Sequence, residues 1–363
     1  MYYIKPVISV GKIGIESLKK FPIGKEVLII SSKTVSKNYG LHDIFEKLKK
    51  ESTLYIFNHI RPDAPFEDLD RVLEELKDVQ LDTIIAIGGG STIDAAKALS
   101  IAFGKISYKD IFYGKTQVPN SKIPLIAIPT TAGTGAELSF GAIIYDKENG
   151  KKGGIRGEIV QPDFVFIDAN LHNGCPTKLK AEVGFDCLTH AIETYISKKS
   201  NPIVKNQSIN CIKIIFQHLV SACKDNSIYD MEKVAIASSL MGINLAFSST
   251  CLPHRIQYVI GPMTGTSHAQ GLIAIYKGWL QYLYNENVDE LVDLATDLEM
   301  SVVQFLDKVD NLKKELSLNY GISKLGLCQD HIEKITSMVT GNVQADPSYK
   351  DINSITNILK LAL

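Results

Sequence analysis

The chain has 363 residues, 45% of them hydrophobic and 22% charged, with a formal net charge of −1. That length suggests two domains, each with room for a core. The near-neutral charge argues against nucleic acid or an anionic membrane surface as partner, since either favours a basic patch.

No run of about 18 apolar residues marks a transmembrane helix. The N-terminal stretch MYYIKPVISVGKIG lacks the apolar core of a signal peptide. Six scattered cysteines form no Cys-x-x-Cys pair and read as reduced, mostly buried thiols, so a cytoplasmic protein is expected.

In chain order, strand-like apolar runs at 27–30, 54–57, 83–87, 124–128 and 164–167 alternate with helix-like segments at 43–50, 66–76 and 92–103. Continuous apolar strands between helices predict a parallel sheet covered on both faces. Residues 142–145, followed by Asn149-Gly150, read as a hairpin, because Asn-Gly favours a turn with positive φ.

Gly88, Gly89, Gly90 and Ser91 come directly after one of these strands and open a helix that Ser91 or Thr92 could cap. Glycines let backbone approach a ligand closely. Helix N-termini offer N–H groups and a positive dipole end to a phosphate. A second such segment, PTTAGTG at 129–135, follows the next strand, and its hydroxyls and glycines could wrap a sugar and pyrophosphate. Two such loops at the ends of parallel strands point to a dinucleotide crevice.

Beyond about residue 170 strand signals fade and helical patterns take over at 179–198, 204–222, 231–247, 288–298 and 352–363, which places a domain boundary near Cys175-Pro176. In GFDCLTHAIETYIS, Phe185, Leu188, Ile192 and Tyr195 form an apolar stripe, and Asp186, His190 and Glu193 a polar stripe beside it. Asp186 and His190 then lie one helical turn apart on one face. His254 and His268 follow at a distance. One carboxylate and three imidazoles suit Zn²⁺ or Fe²⁺. His42, His59, His172, His218 and His331 lack partners at any recognisable spacing and read as surface or core residues.

The segments GGGSTIDAAKA, IPTTAGTGAELS, GFDCLTHAIETYIS and PHRIQYVIGPMTGTSHAQG, in this order, resemble the iron-containing (group III) alcohol dehydrogenase family. The resemblance runs from about residue 8 to the GNVQADP segment. It implies an α/β dinucleotide-binding domain with a parallel sheet (1–175), an all-α metal-binding domain (176–363) and a catalytic site in the cleft between them. It makes Asp186, His190, His254 and His268 the metal ligands. Gly88, Gly89, Gly90 and Ser91 would hold the pyrophosphate, with Asp94 and Lys97 part of the same motif. From one turn into its helix Lys97 could reach a phosphate or face solvent. Thr130, Thr131 and Thr134 would contact the cofactor, and Lys152 the nicotinamide ribose.

Three departures from the family pattern stand out. The last ligand is followed by Ala269 rather than glycine, which bears on the local backbone. Tyr258 occupies the position where many members carry a histidine proposed as a proton relay; a phenol, with its reference pKa near ~10, suits neutral pH less well. Ser31-Ser32-Lys33 replaces the acidic residue frequent in NAD-preferring members. Without that charge, Ser32 tilts the choice towards NADP.

The expected function is that of a metal-dependent, NAD(P)-linked alcohol dehydrogenase or aldehyde reductase. It would use NADP or NAD and one Fe²⁺ or Zn²⁺, and pass hydride between nicotinamide and a short alcohol or aldehyde. Arg255, beside His254, could pair with an anionic group such as that of phosphonoacetaldehyde. A dehydroquinate-synthase-like lyase, which usually has Glu in place of Asp186, and a non-catalytic binding protein on the same fold are the alternatives. A homo-oligomer, specifically a dimer, is expected, with no nucleic-acid or membrane partner.

Overall fold

The computed structural model describes residues 4–13, 15–18, 20–31, 35, 42–103 and 106–363. These fall into two units, Met1–Pro176 and Thr177–Leu363. The strands described in the first are β1 (Val7–Val10), β2 (Glu26–Ser31), β3 (Thr53–Phe57), β4 (Thr83–Gly88), β5 (Leu125–Pro129), β6 (Gly141–Asp146), β7 (Lys151–Arg156) and β8 (Phe164–Ile167). Six of them form a sheet in the order β1-β8-β5-β4-β2-β3, with every pair parallel.

Every residue of β4 and β5 is buried, as their unbroken apolar runs require of central strands with helices on both faces. The edge strand β1 is exposed throughout and has no apolar core signal. It is defined by its pairing with β8, including Val7 N–H to Asp163 O at 3.0 Å, and was not anticipated from sequence.

From β2 the chain steps outward to β3, and from β4 it steps the other way to β5. The topological switch point therefore lies between β2 and β4, and in open α/β sheets ligands bind outside the carboxyl ends of the strands there. Ser31 at the end of β2 sits opposite Ile87, and Gly88 closes β4. The helix Gly90–Ala102 leaves that point buried from Thr92 to Ile101, packed on the sheet and on β6 of the antiparallel β6–β7 hairpin. The hairpin turns at Asn149-Gly150, where Gly150 has φ of 60°.

The second unit is helical, with no strand among its described residues. The anticipated helices are present as Thr177–Ile196, Pro202–Lys224, Ile228–Phe247, Asp289–Asp297 and Ile352–Leu361. Their ends follow local chemistry. Asn201 accepts from Ile203 and Val204 N–H with Pro202 in the first turn. Thr177–Ile196 lies so close to Pro202–Lys224 that a Cβ on Gly184 would stand 2.2 Å from Leu219 Cδ1.

The helices Leu252–Thr264, His268–Asn285 and Val302–Glu315 were not anticipated. The first contains Pro253, Gly261 and Pro262, residue types that disfavour a helix interior. Pro253 instead sits in the opening turn, where its missing N–H costs nothing, and Gly265 ends the helix in the left-handed conformation, φ 65°. The second is buried over most of its surface, which erases the apolar period. The second and third both start with capping boxes, Ser267–Gln270 and Ser301–Gln304.

Candidate metal centre and dinucleotide loops

The helix Thr177–Ile196 is buried on the polar stripe as well as the apolar one: Asp186 is 1% exposed, His190 4% and Glu193 0%. A buried polar stripe needs partners, since an unpaired carboxylate in an apolar interior is costly. His254 enters from the first turn of Leu252–Thr264 and His268 from the first residue of His268–Asn285. Asp186 Oδ1 lies 3.9 Å from His190 Nε2, 3.7 Å from His254 Nε2 and 4.0 Å from His268 Nε2. His190 Nε2 and His254 Nε2 are 2.9 Å apart.

Ligands about a tetrahedral ion with bonds of about 2.0–2.2 Å stand roughly 3.4 Å apart, a separation that these distances bracket. Asp186, His190 and His254 offer ligand atoms within 4.8 Å of one another, and His268 adds the fourth donor at the edge of that group. The donor set therefore fits a divalent cation.

The outer contacts favour the same use. Glu193 accepts from His254 Nδ1 at 2.8 Å and from Cys251 N–H at 2.7 Å. Gln257 Oε1 accepts from His268 Nδ1 at 2.5 Å. With Nδ1 carrying the proton in both rings, each Nε2 presents a lone pair to the cluster. Burial pushes the Glu193 carboxyl up to about 8. Neither Asp186 nor Glu193 has a Lys or Arg ion pair among the described residues, so a bound cation would offset the burial of both.

Asp346 completes the support: its Oδ2 accepts from Leu252 N–H at 3.0 Å and Trp279 Nε1 at 2.8 Å, and its Oδ1 from Ser348 N–H and Oγ. In the sequence Glu193 shows only as part of the polar stripe, three residues after His190. Gln257 meets His268, and Asp346 meets Leu252 and Trp279, only through packing between segments, so nothing in the sequence marks either.

Tyr258 is on the same helix, its ring centroid 6.1 Å from that of His268, and the Arg255 guanidinium lies 5.4 Å from the Tyr258 ring centre. Arg255 also donates to Thr250 Oγ1, while its Nε is buried without a hydrogen-bond partner among the described residues. Ala269 is a buried residue of an unbroken first turn, so the missing glycine leaves the backbone at His268 regular.

In the first unit the two loops lie side by side. Gly88 is opposite Pro129, and Thr130 N–H donates to Gly88 O at 3.0 Å. The glycines give space, not unusual backbone: none of Gly88, Gly89 and Gly90 has positive φ. A Cβ on Gly88 would meet Thr92 Oγ1 at 2.5 Å, on Gly89 Thr131 Oγ1 at 2.9 Å, and on Gly90 Thr134 Oγ1 at 2.9 Å.

Neither Ser91 nor Thr92 caps the helix. Gly89 stands at the N-cap with no side-chain bond, so the first turn is open to an anion, and Ser91 Oγ accepts from Asp63 N–H instead. Thr130 is buried, and Thr131 and Thr134 are half-buried at the loop surface. Asp94 is 8% exposed, its Oδ1 has no hydrogen-bond partner among the described residues, and burial raises its carboxyl to about 6. Lys97 Nζ stands 3.9 Å from that oxygen, beyond hydrogen-bond reach, so the acceptor still fits a ligand that brings a donor.

Lys97 does not face solvent. It is fully buried and donates to Ser139 O, Ser139 Oγ and Gly141 O at 2.7–3.0 Å. Lys152 is also largely buried, although it lies in the hairpin: its side chain is 6% exposed and its Nζ lies 2.6 Å from Asp63 Oδ1. Ser32 and Lys33 lie outside the described residues.

Two family profiles match the chain: "Iron-containing alcohol dehydrogenase" at residues 7–169, and "Fe-containing alcohol dehydrogenase family, C-terminal" at 180–363. Among curated relatives, an aldehyde-alcohol dehydrogenase of Streptococcus pneumoniae is 30% identical over 270 residues. That match takes in 70% of this chain but spans only 31% of the relative's length. An NAD-dependent methanol dehydrogenase of Bacillus methanolicus is 26% identical over 100% of this chain and 99% of its own. Among solved structures, an iron-containing alcohol dehydrogenase of Thermotoga maritima superposes with a TM-score of 0.87 at 25% identity, covering 100% of this chain and 99% of that one.

Proposed function

Because the chain belongs to the iron-containing alcohol dehydrogenase family, we propose that it is a metal-dependent, NAD(P)-linked alcohol dehydrogenase interconverting a short alcohol and its aldehyde. The observation that carries this reading is the convergence of Asp186 Oδ1 with the Nε2 atoms of His190, His254 and His268. These four would hold one divalent ion, Fe²⁺ in keeping with the family and Zn²⁺ as the other candidate. Such an ion supplies Lewis acidity for the substrate oxygen.

The protein's own residues set the conditions. Glu193 and Gln257 fix two imidazoles in the ligating tautomer. Burial of Asp186, His190 and His254 keeps bulk water from the donor atoms. Tyr258, one turn beyond His254 and beside His268, relays the proton: its phenol oxygen accepts the proton that an alcohol gives up as its own hydroxyl proton passes outward, so the phenol is neutral before and after.

A dinucleotide supplies hydride chemistry. Its pyrophosphate would rest on Gly88, Gly89, Gly90 and Ser91, where the helix start is uncapped. Thr130, Thr131, Thr134, Asp94 and Lys152 would make the remaining contacts. The full-length relative from Bacillus methanolicus is NAD-dependent. Here Ser32, without the negative charge that repels a 2′-phosphate, supports use of NADPH alongside NADH. Free cysteines, five of six buried, suit a reducing cytoplasm.

An aldehyde with an anionic group, of the phosphonoacetaldehyde kind, is the narrower proposal. Arg255 supports it, because its buried Nε lacks an acceptor. The test is a reductase assay with NADH and NADPH on neutral and anionic aldehydes, using protein stripped of metal and reloaded with Fe²⁺ or Zn²⁺. Turnover is expected only after reloading. Equal rates without metal would sink the reading. An anionic aldehyde reduced no better by wild type than by Arg255→Met would remove only the narrower one.

A further inference from the structure

Residues 58–65 connect β3 to the helix Phe66–Glu75 and contain two successive non-glycine residues in the left-handed region, Asp63 at φ 65° and Ala64 at φ 48°. Asp and Asn reach that region most readily among non-glycine residues, but it is held only where surrounding contacts determine it. Here the contacts are specific. Asp63 N–H donates to Ser91 Oγ at 2.9 Å, in the first turn of Gly90–Ala102. Ala64 O accepts from Tyr145 N–H at 3.3 Å, and Tyr145 is opposite Lys152 in the hairpin register. Asp63 Oδ1 lies 2.6 Å from Lys152 Nζ, with the lysine side chain almost wholly buried. The Asp94 carboxylate, whose nearer cation is Lys97 at 3.9 Å, feels the same ammonium more weakly. One unusual loop therefore joins the start of the glycine-loop helix to the hairpin lysine.

From this geometry we infer that Asp63 is a positioning residue for dinucleotide binding. It fixes the Lys152 ammonium beside the first turn of Gly90–Ala102 and balances its charge. A charge-balanced lysine is suited to the hydroxyls of a sugar, whereas an unbalanced one would be drawn to a phosphate. The inference rests on the dinucleotide reading proposed above, since Lys152 must touch the cofactor for its placement to matter.

The experiment measures NADH dissociation constants by calorimetry on the full chain, at two salt concentrations, for four variants. Asp63→Gly removes the carboxylate while keeping positive φ easy; Asp63→Asn keeps the shape and an acceptor without the charge. Lys152→Met and the Asp63→Gly/Lys152→Met double variant complete a cycle. Lys152→Met and Asp63→Gly should each weaken binding by roughly tenfold, as for loss of a charge-assisted hydrogen bond. The double variant should bind no worse than Lys152→Met alone, because one residue acts through the other.

Asp63→Asn should restore most of the affinity lost in Asp63→Gly. It should also make binding more sensitive to salt, because an unbalanced ammonium then faces the pyrophosphate. That readout stands even if Asp63→Gly fails to fold. An unchanged dissociation constant in Lys152→Met would overturn the dinucleotide role of the lysine and the inference with it. A loss in Lys152→Met with none in Asp63→Gly would leave the dinucleotide reading standing and overturn the inference alone. Additive losses, or an unchanged salt response in Asp63→Asn, would likewise show that Asp63 does not act through the lysine.

Discussion

At the scale of single residues, the proposed metal centre depends on two imidazoles held from behind. Glu193→Gln keeps the shape but weakens the acceptor for His254 Nδ1, and should lower metal affinity by about 10–100-fold, the usual cost of losing such a contact. His268→Ala removes a donor outright and should lower bound metal further while the fold persists. Metal content after equilibration with a competing chelator checks both; full occupancy in His268→Ala would remove that residue from the centre. In the other unit, Gly89→Val should weaken dinucleotide binding strongly. The reason is space, since a Cβ there meets Thr131 Oγ1 at 2.9 Å while the backbone itself suits any residue. An unchanged cofactor dissociation constant would make the turn purely structural. Asp186 and His190 were legible as a pair because helical spacing alone brings them together. Gln257 and Asp346 were not, because each meets its partner through tertiary packing that no local period encodes. The burial of Lys97 is hidden for a related reason: a lysine in a polar motif reads as a surface or phosphate group, and only the fold brings the carbonyls of Ser139 and Gly141 to receive it.

At the scale of elements, the helix Leu252–Thr264 shows how a segment that looks broken in sequence is made helical by its surroundings. Two buried carboxylates grip its start, Glu193 on Cys251 N–H and Asp346 on Leu252 N–H, a placement that the positive end of the helix dipole favours. Asp346→Ala would leave Leu252 N–H, Trp279 Nε1 and Ser348 N–H without their buried acceptor. It should destabilise the protein by about 3 kcal/mol or more, each stranded group costing about 1–3 kcal/mol. Because His254 sits in that first turn, metal affinity should fall with stability; denaturant unfolding and metal titration on one sample test whether they move together. The helix Gly90–Ala102 carries a pH signature. Burial lowers the Lys97 ammonium to about 8 from an ordinary value of 10.5. Between those two values the unfolded chain binds the extra proton, so this group makes the folded state more stable as pH rises from about 8 towards 10.5. Compared with Lys97→Met, wild type should gain stability across that window; parallel stability profiles for the two would contradict the assignment. The central strands were readable because continuous apolar runs have few other homes, whereas β1, short and exposed, exists only through its pairing with β8.

At the scale of the whole molecule, each unit has its own core and carries one of the two proposed ligand sites, so the two ligands should leave separate marks. Any ligand that binds only the folded form stabilises it, by about 2.7 kcal/mol at a concentration one hundred times its dissociation constant. The donors of the metal centre lie on three helices, Thr177–Ile196, Leu252–Thr264 and His268–Asn285. Two of these begin at a ligand or within two residues of one, so their first turns depend most on the cluster. Stripping the metal should therefore speed amide exchange at 252–258 and 268–272 and around 186–193. The buried strands β4 and β5 should be unchanged, because their backbone hydrogen bonds are made within the sheet. Adding NADH or NADPH should instead protect 88–92 and 130–135, where the first helical turn lacks a side-chain cap. Hydrogen exchange read by mass spectrometry resolves these segments. If metal removal loosened β4 as much as the three ligand helices, stability would be shared between the two cores, and the metal would hold the whole chain rather than the helices that carry its ligands.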